Sequence, residues 1–186
     1  MRIPVDFYLE TARCLLRYPL ARDTERLLSA FTAGEFPKDV PLGRSTPPGA
    51  GQVGEWIEGC QRRWAAGTGY TWTAERKSDR VVVGQISLVE KEEAGVWSVA
   101  YWTHPDCWGQ GYATEILRRA VGFAFETLEA GRVWAAAGAK NEASLRVLQK
   151  GGLRFVRDNP EGYHIGGQTI PTREYELTRA QWHKTI

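Results

Sequence analysis

The string WGQGYATE sets Gly109 and Gly111 directly before a run that reads as an amphipathic helix from about Tyr112 to Glu129. The first backbone amides of a helix have no intrahelical acceptor, and the helix dipole adds positive charge there. Glycine keeps a Cβ out of the way, so pyrophosphate oxygens could reach those amides. A strand-to-helix turn without a ligand would use the same residues. Spacing excludes two phosphate cradles. The Walker loop needs Gly-x-x-x-x-Gly-Lys-Ser/Thr, a string absent from the chain. The dinucleotide fingerprint needs a third glycine where Thr114 stands, and it follows an early strand, whereas four candidate strands precede this turn.

Other groups with chemical potential lie nearby. His104 and Asp106 flank Pro105, but no Gly-x-Ser-x-Gly elbow accompanies them, and they read as turn chemistry. Cys107 lacks a His/Asn arrangement that would activate it and reads as inert. Cys14, Cys60 and Cys107 are odd in number and far apart, with no C-x-x-C, so neither a zinc site nor a disulfide framework is expected. That usage fits a reducing compartment.

The elements that must position these residues come from a chain of 186 residues, 42% of them hydrophobic, expected to form one domain over 1–186. Lys+Arg 24 against Asp+Glu 22, well mixed, gives a net charge of +2 and no support for nucleic-acid binding. MRIPVDFYLETARCLL lacks the apolar run of a signal peptide. Nothing approaches the about 18 apolar residues of a membrane span. The expectation is a soluble, cytoplasmic chain without a membrane partner.

RCLLRY (Arg13–Tyr18) reads as a strand and ARDTERLLSAFTAG as a helix with Asp23 at its N-cap. Gly34 to Gln52 is rich in Pro and Gly and reads as a long loop. VGEWIEGCQRRWAAG resumes helix, with Trp56, Ile57, Cys60 and Trp64 on one side. YTWTAERK alternates as a half-buried strand and VVVGQISLVEK repeats the pattern, with Ser78-Asp79-Arg80 turning between them. GVWSVAYWT is apolar on both faces, as a covered central strand is. The helix after the glycine turn has the inward set Ala113, Ile116, Leu117, Ala120, Val121, Ala124 and Leu128. RVWAAAGAK is a further strand, and NEASLRVLQKGG a helix that Asn141 can cap and Gly151-Gly152 can end. LRFVRD and TREYELTR close the chain as strands joined by a connection from Asn159 to Gln168. This order implies an α+β (mixed α/β) fold: a mixed, largely antiparallel sheet with helices on both faces.

WGQGYA resembles the Gln/Arg-x-x-Gly-x-Gly/Ala signature of the GNAT superfamily of N-acetyltransferases, with Gly111 and Ala113 at the small positions. Trp108 stands where Gln or Arg is usual. YWTHPDCWGQGYATE is similar to the ribosomal-protein N-acetyltransferase branch (RimJ/RimL type). LETARCLLRYPLARD resembles its opening strand and NEASLRVLQKGGLRF its second motif, so the resemblance covers about residues 9–178.

The resemblance implies acetyl-CoA as co-substrate, with the pantetheine arm between two splayed strands. Tyr101, Trp102 and Thr103 would offer backbone groups to that arm. Trp108, Gly109, Gln110, Gly111, Tyr112, Ala113 and Thr114 would surround the pyrophosphate, with Trp108 as a wall. Asn141 would bind the pantetheine region, and Ser144 would return a proton to the leaving thiolate. The small strand Ala135 to Ala139 fits either close packing against a helix or a gap for the thioester.

Many members of the superfamily place a Glu on the strand before the turn, where this chain has Ser98. Glu75, Glu90, Glu161, Tyr163, His164 and His104 are alternative bases, as is a water-mediated route. The expected reaction is direct transfer of acetyl to a primary amine, either a protein N-terminus or a small molecule. A non-catalytic acyl-CoA-binding sensor is the alternative, kept open by Ser98. A homodimer is the default assembly of soluble enzymes.

Overall fold

In the computed structural model, which describes residues 2–33 and 49–184, the alternating segments assemble into one eight-stranded sheet. Strands β1 (Leu9–Glu10), β2 (Cys14–Arg17), β3 (Gly69–Arg76), β4 (Val82–Glu90) and β5 (Val96–Thr103) lie side by side in chain order, each antiparallel to the next. Strands β6 (Arg132–Gly138), β7 (Arg154–Ile165) and β8 (Gln168–Thr178) complete it in the order β6-β8-β7. The β5–β6 pair is parallel, and every other pair is antiparallel. The helices are α1 (Thr24–Thr32), α2 (Ala50–Ala66), α3 (Tyr112–Glu126), α4 (Glu142–Lys150) and the short α5 (Arg179–Trp182). No helix among the described residues is long and apolar enough to cross a membrane.

Helices cover both faces of the sheet, and the two layers differ in chemistry. On one face Tyr70, Trp72, Ile86, Leu88, Trp97 and Val99 pack with Ile116, Leu117, Ala120 and Phe123 of α3 in the larger core. The rings are edge-on, with Trp72 and Phe123 centroids 5.1 Å apart. On the other face Leu27, Ala30, Val53 and Ile57 of α1 and α2 pack with Trp102.

Strand β3 is therefore covered on both sides, not half-buried: Thr71, Thr73 and Glu75 are as enclosed as Tyr70, Trp72 and Ala74. Alternation of polar and apolar residues marked the two faces correctly and misjudged what covers the second one. Its polar groups are paired instead of hydrated. The Thr71 and Ser87 hydroxyls are 2.9 Å apart, and Thr73 Oγ1 donates to Asp23 Oδ2 at 3.0 Å.

Asp23 precedes α1, yet its carboxylate does not cap that helix. It accepts from the Arg17 guanidinium at 2.7 and 3.0 Å and from the Leu20 amide at 2.9 Å. Arg17 also donates to Glu75 at 2.9 Å. Burying an acid this deeply is stable only with such partners.

Other boundaries shift for local reasons. Helix α2 begins at Ala50, inside the stretch expected as a loop from Gly34 to Gln52, and residues 34–48 of that stretch lie outside the described residues. Helix α3 ends at Glu126, with Phe123 and Phe125 buried and Ala113 and Leu128 only partly so. The connection expected over Asn159–Gln168 is mostly strand. Strand β7 continues to Ile165 and turns at Gly166-Gly167, pairing Tyr163 with Ile170 and His164 with Thr169. Pro160 and Gly162 read as breakers, but a register irregularity between Asn159 and Tyr163 absorbs them on an edge strand.

The Gly84 position in β4 has no room for a side chain, because a Cβ there would overlap the Trp102 carbonyl and lie 2.9 Å from Thr103 Cα. Gly84→Ala is expected to destabilise the fold by about 1–3 kcal/mol, read as a lower urea midpoint with an unchanged slope.

Candidate active site

Strands β5 and β6 pair over only three residues, Val96 with Arg132, Trp97 with Val133 and Ser98 with Trp134. Beyond Ser98 they part, although each keeps its outer partner: β5 is paired with β4 through Thr103 and β6 with β8 through Gly138. Two cavities meet in the resulting gap.

The larger, about 430 Å³, is bounded by the end of β5, the glycine turn and α4. Of the expected cofactor residues, Tyr101, Trp102, Thr103, Trp108, Gly109, Gly111, Tyr112, Ala113, Thr114 and Asn141 all line it, together with Ser144. Gln110 does not. Its side chain donates to the Asp106 carbonyl at 2.9 Å, and its own carbonyl accepts from Arg13 at 3.0 Å.

The second cavity, about 230 Å³, opens on the α2 face and is walled by Trp56, Arg63, Gln85, Ser87, Ala100 and Tyr163, among others. Tyr101, Trp102, Asn141 and Ser144 border both cavities. Ala135, Ala136, Ala137 and Gly138 line the second one. Ala135 and Ala137 are also buried in the larger core, so the small strand serves packing and gap alike.

The glycine turn has the features of an anion cradle. Gly111 sits at the N-cap of α3 with φ +82°, and no side chain caps that helix. A Cβ there would meet nothing closer than an Arg13 nitrogen at 3.6 Å. Trp108 is 39% exposed, and its indole nitrogen donates to the Thr103 carbonyl at 2.8 Å, which ties the turn to the end of β5.

Cationic groups around this cavity were missed in the sequence. Arg146 and Lys150 of α4 line it. Arg13 stacks 4.2 Å over the Tyr112 ring and bonds Glu115. The spacing of four between Arg146 and Lys150, in phase with the start of α4, was the available signal.

Asn141 caps α4 through its side-chain oxygen, which accepts from the Ser144 amide at 3.0 Å. Its amide nitrogen has no partner among the described residues. The Ser144 hydroxyl lies 3.0 Å from the Tyr101 hydroxyl, which also contacts the Ser144 carbonyl at 3.1 Å. Burial pushes the Tyr101 phenol above its usual range, with Tyr163 adding to the shift and the Ser144 bond opposing it. Sequence reading gave Tyr101 only a backbone role; the two hydroxyls are brought together by tertiary structure, from β5 and α4.

The alternative bases are dispersed. Glu75 is paired with Arg17 and Arg80 away from both cavities. Glu90, Glu161 and His164 are exposed and line neither, and Ser98 also lines neither. Tyr163 does face the second cavity, with its hydroxyl donating to the Ala136 carbonyl at 2.7 Å.

His104 is buried, 3.2 Å from the Ser29 hydroxyl and 2.7 Å from an Asp106 oxygen. The group resembles a hydrolase triad in composition only. Ser29 spends its proton on the Arg26 carbonyl at 2.9 Å, and neither cavity reaches it. Burial and the Arg26 cation depress the His104 pKa. Although burial opposes it, Arg26 holds Asp106 down at about 2. Burial, with Asp106 adding, pushes the Cys107 thiol up to about 11, which keeps it unreactive.

A glycine turn at the start of α3 lies beside a gap between parting parallel strands. The sequence profile of the acetyltransferase (GNAT) domain matches residues 13–154, and the chain belongs to that family. It is 27% identical over 174 residues to the uncharacterized N-acetyltransferase YoaA of Bacillus subtilis (strain 168), spanning 92% of this chain and 96% of that protein. Its fold matches Mycobacterium smegmatis RimJ, solved with CoA-disulfide, at a TM-score of 0.80 and 17% identity, covering 100% and 97% of the two chains. It also matches RimL, the ribosomal L7/L12 alpha-N-protein acetyltransferase solved with coenzyme A, at 0.81 and 12%, covering 92% and 98%.

Gly111→Ala should cost about 1–2 kcal/mol of stability from the left-handed φ alone, and Val, being β-branched, would be worse. Beyond that loss, the rise in melting temperature produced by CoA should shrink; a full CoA-induced rise in the folded variant would remove the cradle.

Proposed function

We propose that the protein binds acetyl-CoA in the larger cavity and transfers the acetyl group directly to a primary amine that enters from the smaller one. The single observation that carries this is the shared rim, where Tyr101, Asn141 and Ser144 border both cavities. The residues fit the co-substrate: uncapped amides at the α3 start for the pyrophosphate, the unpaired edge of β5 for the pantetheine arm, and Arg146 and Lys150 for further phosphate charge. Acetyl-CoA, when bound, supplies the thioester carbon that the amine attacks and a sulfur that leaves as thiolate.

Ser144 holds the proton for that sulfur at Oγ and regains one from the nitrogen that has attacked, while Tyr101, kept neutral by burial, orients the serine through contacts at 3.0 Å to its hydroxyl and 3.1 Å to its carbonyl. The wall residues and the protein's own strands keep the two reactants in one orientation. On the acceptor side no carboxylate or histidine lines the cavity among the described residues. The Tyr163 hydroxyl is engaged with Ala136. The amine therefore loses its proton to water through the open cavity. A non-catalytic sensor would have no use for a hydroxyl pair at the junction of two cavities.

Ser144→Ala is expected to lower kcat by about 100-fold or more and Tyr101→Phe by less, each leaving acetyl-CoA affinity near wild type. The double variant should lose less than the product of the two, since Tyr101 acts through Ser144. Binding of acetyl-CoA without CoA release for any amine would establish the sensor instead.

The pH profile gives a separate check. Without an enzymic base, log kcat/KM should rise with unit slope until the acceptor's own amine is deprotonated, and the inflection should follow the acceptor when its pKa is changed. Because the Tyr101 phenol titrates above its usual value of about 10, it stays protonated across that range. An inflection near neutrality, independent of the acceptor, would reveal a base.

A further inference from the structure

Arg63 is the only side chain with a full charge at neutral pH among the described residues lining the acceptor-side cavity, and none of those residues is a carboxylate. It sits in the last turn of α2, half-buried. Its guanidinium lies 5.5 Å over the Trp56 ring and donates to Cys60 Sγ at 3.4 Å. No carboxylate among the described residues pairs with it. Arg17, Arg26 and Arg132, also partly covered, each hold at least one acid. A partly desolvated cation without an anion is costly, and a wall of a binding cavity is where a ligand can supply one.

The surroundings of Arg63 are flat and apolar. Trp56 and Trp102 both donate their indole N–H to Gln85 Oε1 at 3.3 Å. Gln85 is itself oriented by donating to Thr73 Oγ1 at 3.1 Å, which leads on to the buried Asp23. The two rings are thus held by a chain of buried hydrogen bonds, not left to find their own orientation.

Resting on the transferase reading above, we propose that Arg63 receives a carboxylate of the acceptor, and that the acetylated amine belongs to a small molecule of amino-acid type with an apolar side chain. The amine end faces Ser144 and Tyr101 while the carboxylate meets Arg63 and the side chain lies against the indoles. A cavity of about 230 Å³ suits an acceptor of that size. A polyamine would bring a second cation to Arg63 with no acid to receive it.

The test uses the full chain, with CoA bound for calorimetry and with acetyl-CoA for kinetics, and three matched pairs of amines: L-phenylalanine with phenethylamine, L-tryptophan with tryptamine, and L-methionine with 3-(methylthio)propylamine. Spermidine and an alanine-starting peptide are added. Calorimetric affinity and CoA-release kinetics are measured for wild type, Arg63→Met and Arg63→Lys. At least one amino acid is expected to bind about tenfold or more tightly than its decarboxylated partner, with the preference expressed in KM and not kcat. Arg63→Met should erase that gap by weakening only the carboxylated member, and Arg63→Lys should keep part of it. The assignment is overturned if no amino acid binds, if each pair binds alike, if spermidine or the peptide is preferred, or if Arg63→Met weakens both members equally. Transfer to amines without carboxylate preference overturns the Arg63 assignment alone, whereas acetyl-CoA binding with no transfer to any amine overturns the transferase reading.

Discussion

The site depends on the parting of β5 and β6 after three paired residues. Two parallel strands with free edges facing each other would ordinarily continue to pair. Here each is held from outside, β5 by the antiparallel ladder to β4 and β6 by the ladder to β8. The carbonyls of the separated stretches are also engaged by side chains: Trp108 donates to Thr103 and Tyr163 to Ala136. Those two carbonyls have little to gain from closing the gap. The parted strands then leave an unpaired edge on β5, a small-residue wall on β6 and a passage between the two faces of the sheet.

The two faces are built differently. The α3 face is an aromatic and aliphatic core that fixes the helix whose N-terminus carries the glycine turn. The α1/α2 face is a connected polar layer running from Arg17 through Asp23, Thr73 and Gln85 to the indoles of Trp56 and Trp102. A buried network of this kind holds orientation because every rotation leaves a donor or acceptor unpaired. The α3 side is held by packing and the α2 side by hydrogen bonding.

The chemistry at the junction is neutral. Burial keeps the Tyr101 phenol protonated, and no acid or imidazole among the described residues faces the acceptor cavity. The histidine that the sequence contains near the turn is spent on packing, with its ring between Ser29 and Asp106 and its pKa depressed by burial.

The sequence by itself determined the fold family and the glycine turn, and the residues it singled out around that turn, Gln110 excepted, border one cavity. Those features are local: glycines at a helix start, an Asn cap, and strand alternation depend on residues a few positions apart. What only the tertiary structure decided lies in pairs distant along the chain. Asp23 looked like a helix cap and is an ion-pair partner of Arg17 inside a polar layer. Asn159 to Gln168 looked like a Gly-rich connection, yet most of it is strand, and an edge position with one free side tolerates its Pro160 and Gly162. The Tyr101–Ser144 contact, and an Arg63 that no carboxylate among the described residues pairs with, were invisible for the same reason. No periodicity encodes which groups meet across a cleft, because that depends on how the sheet opens.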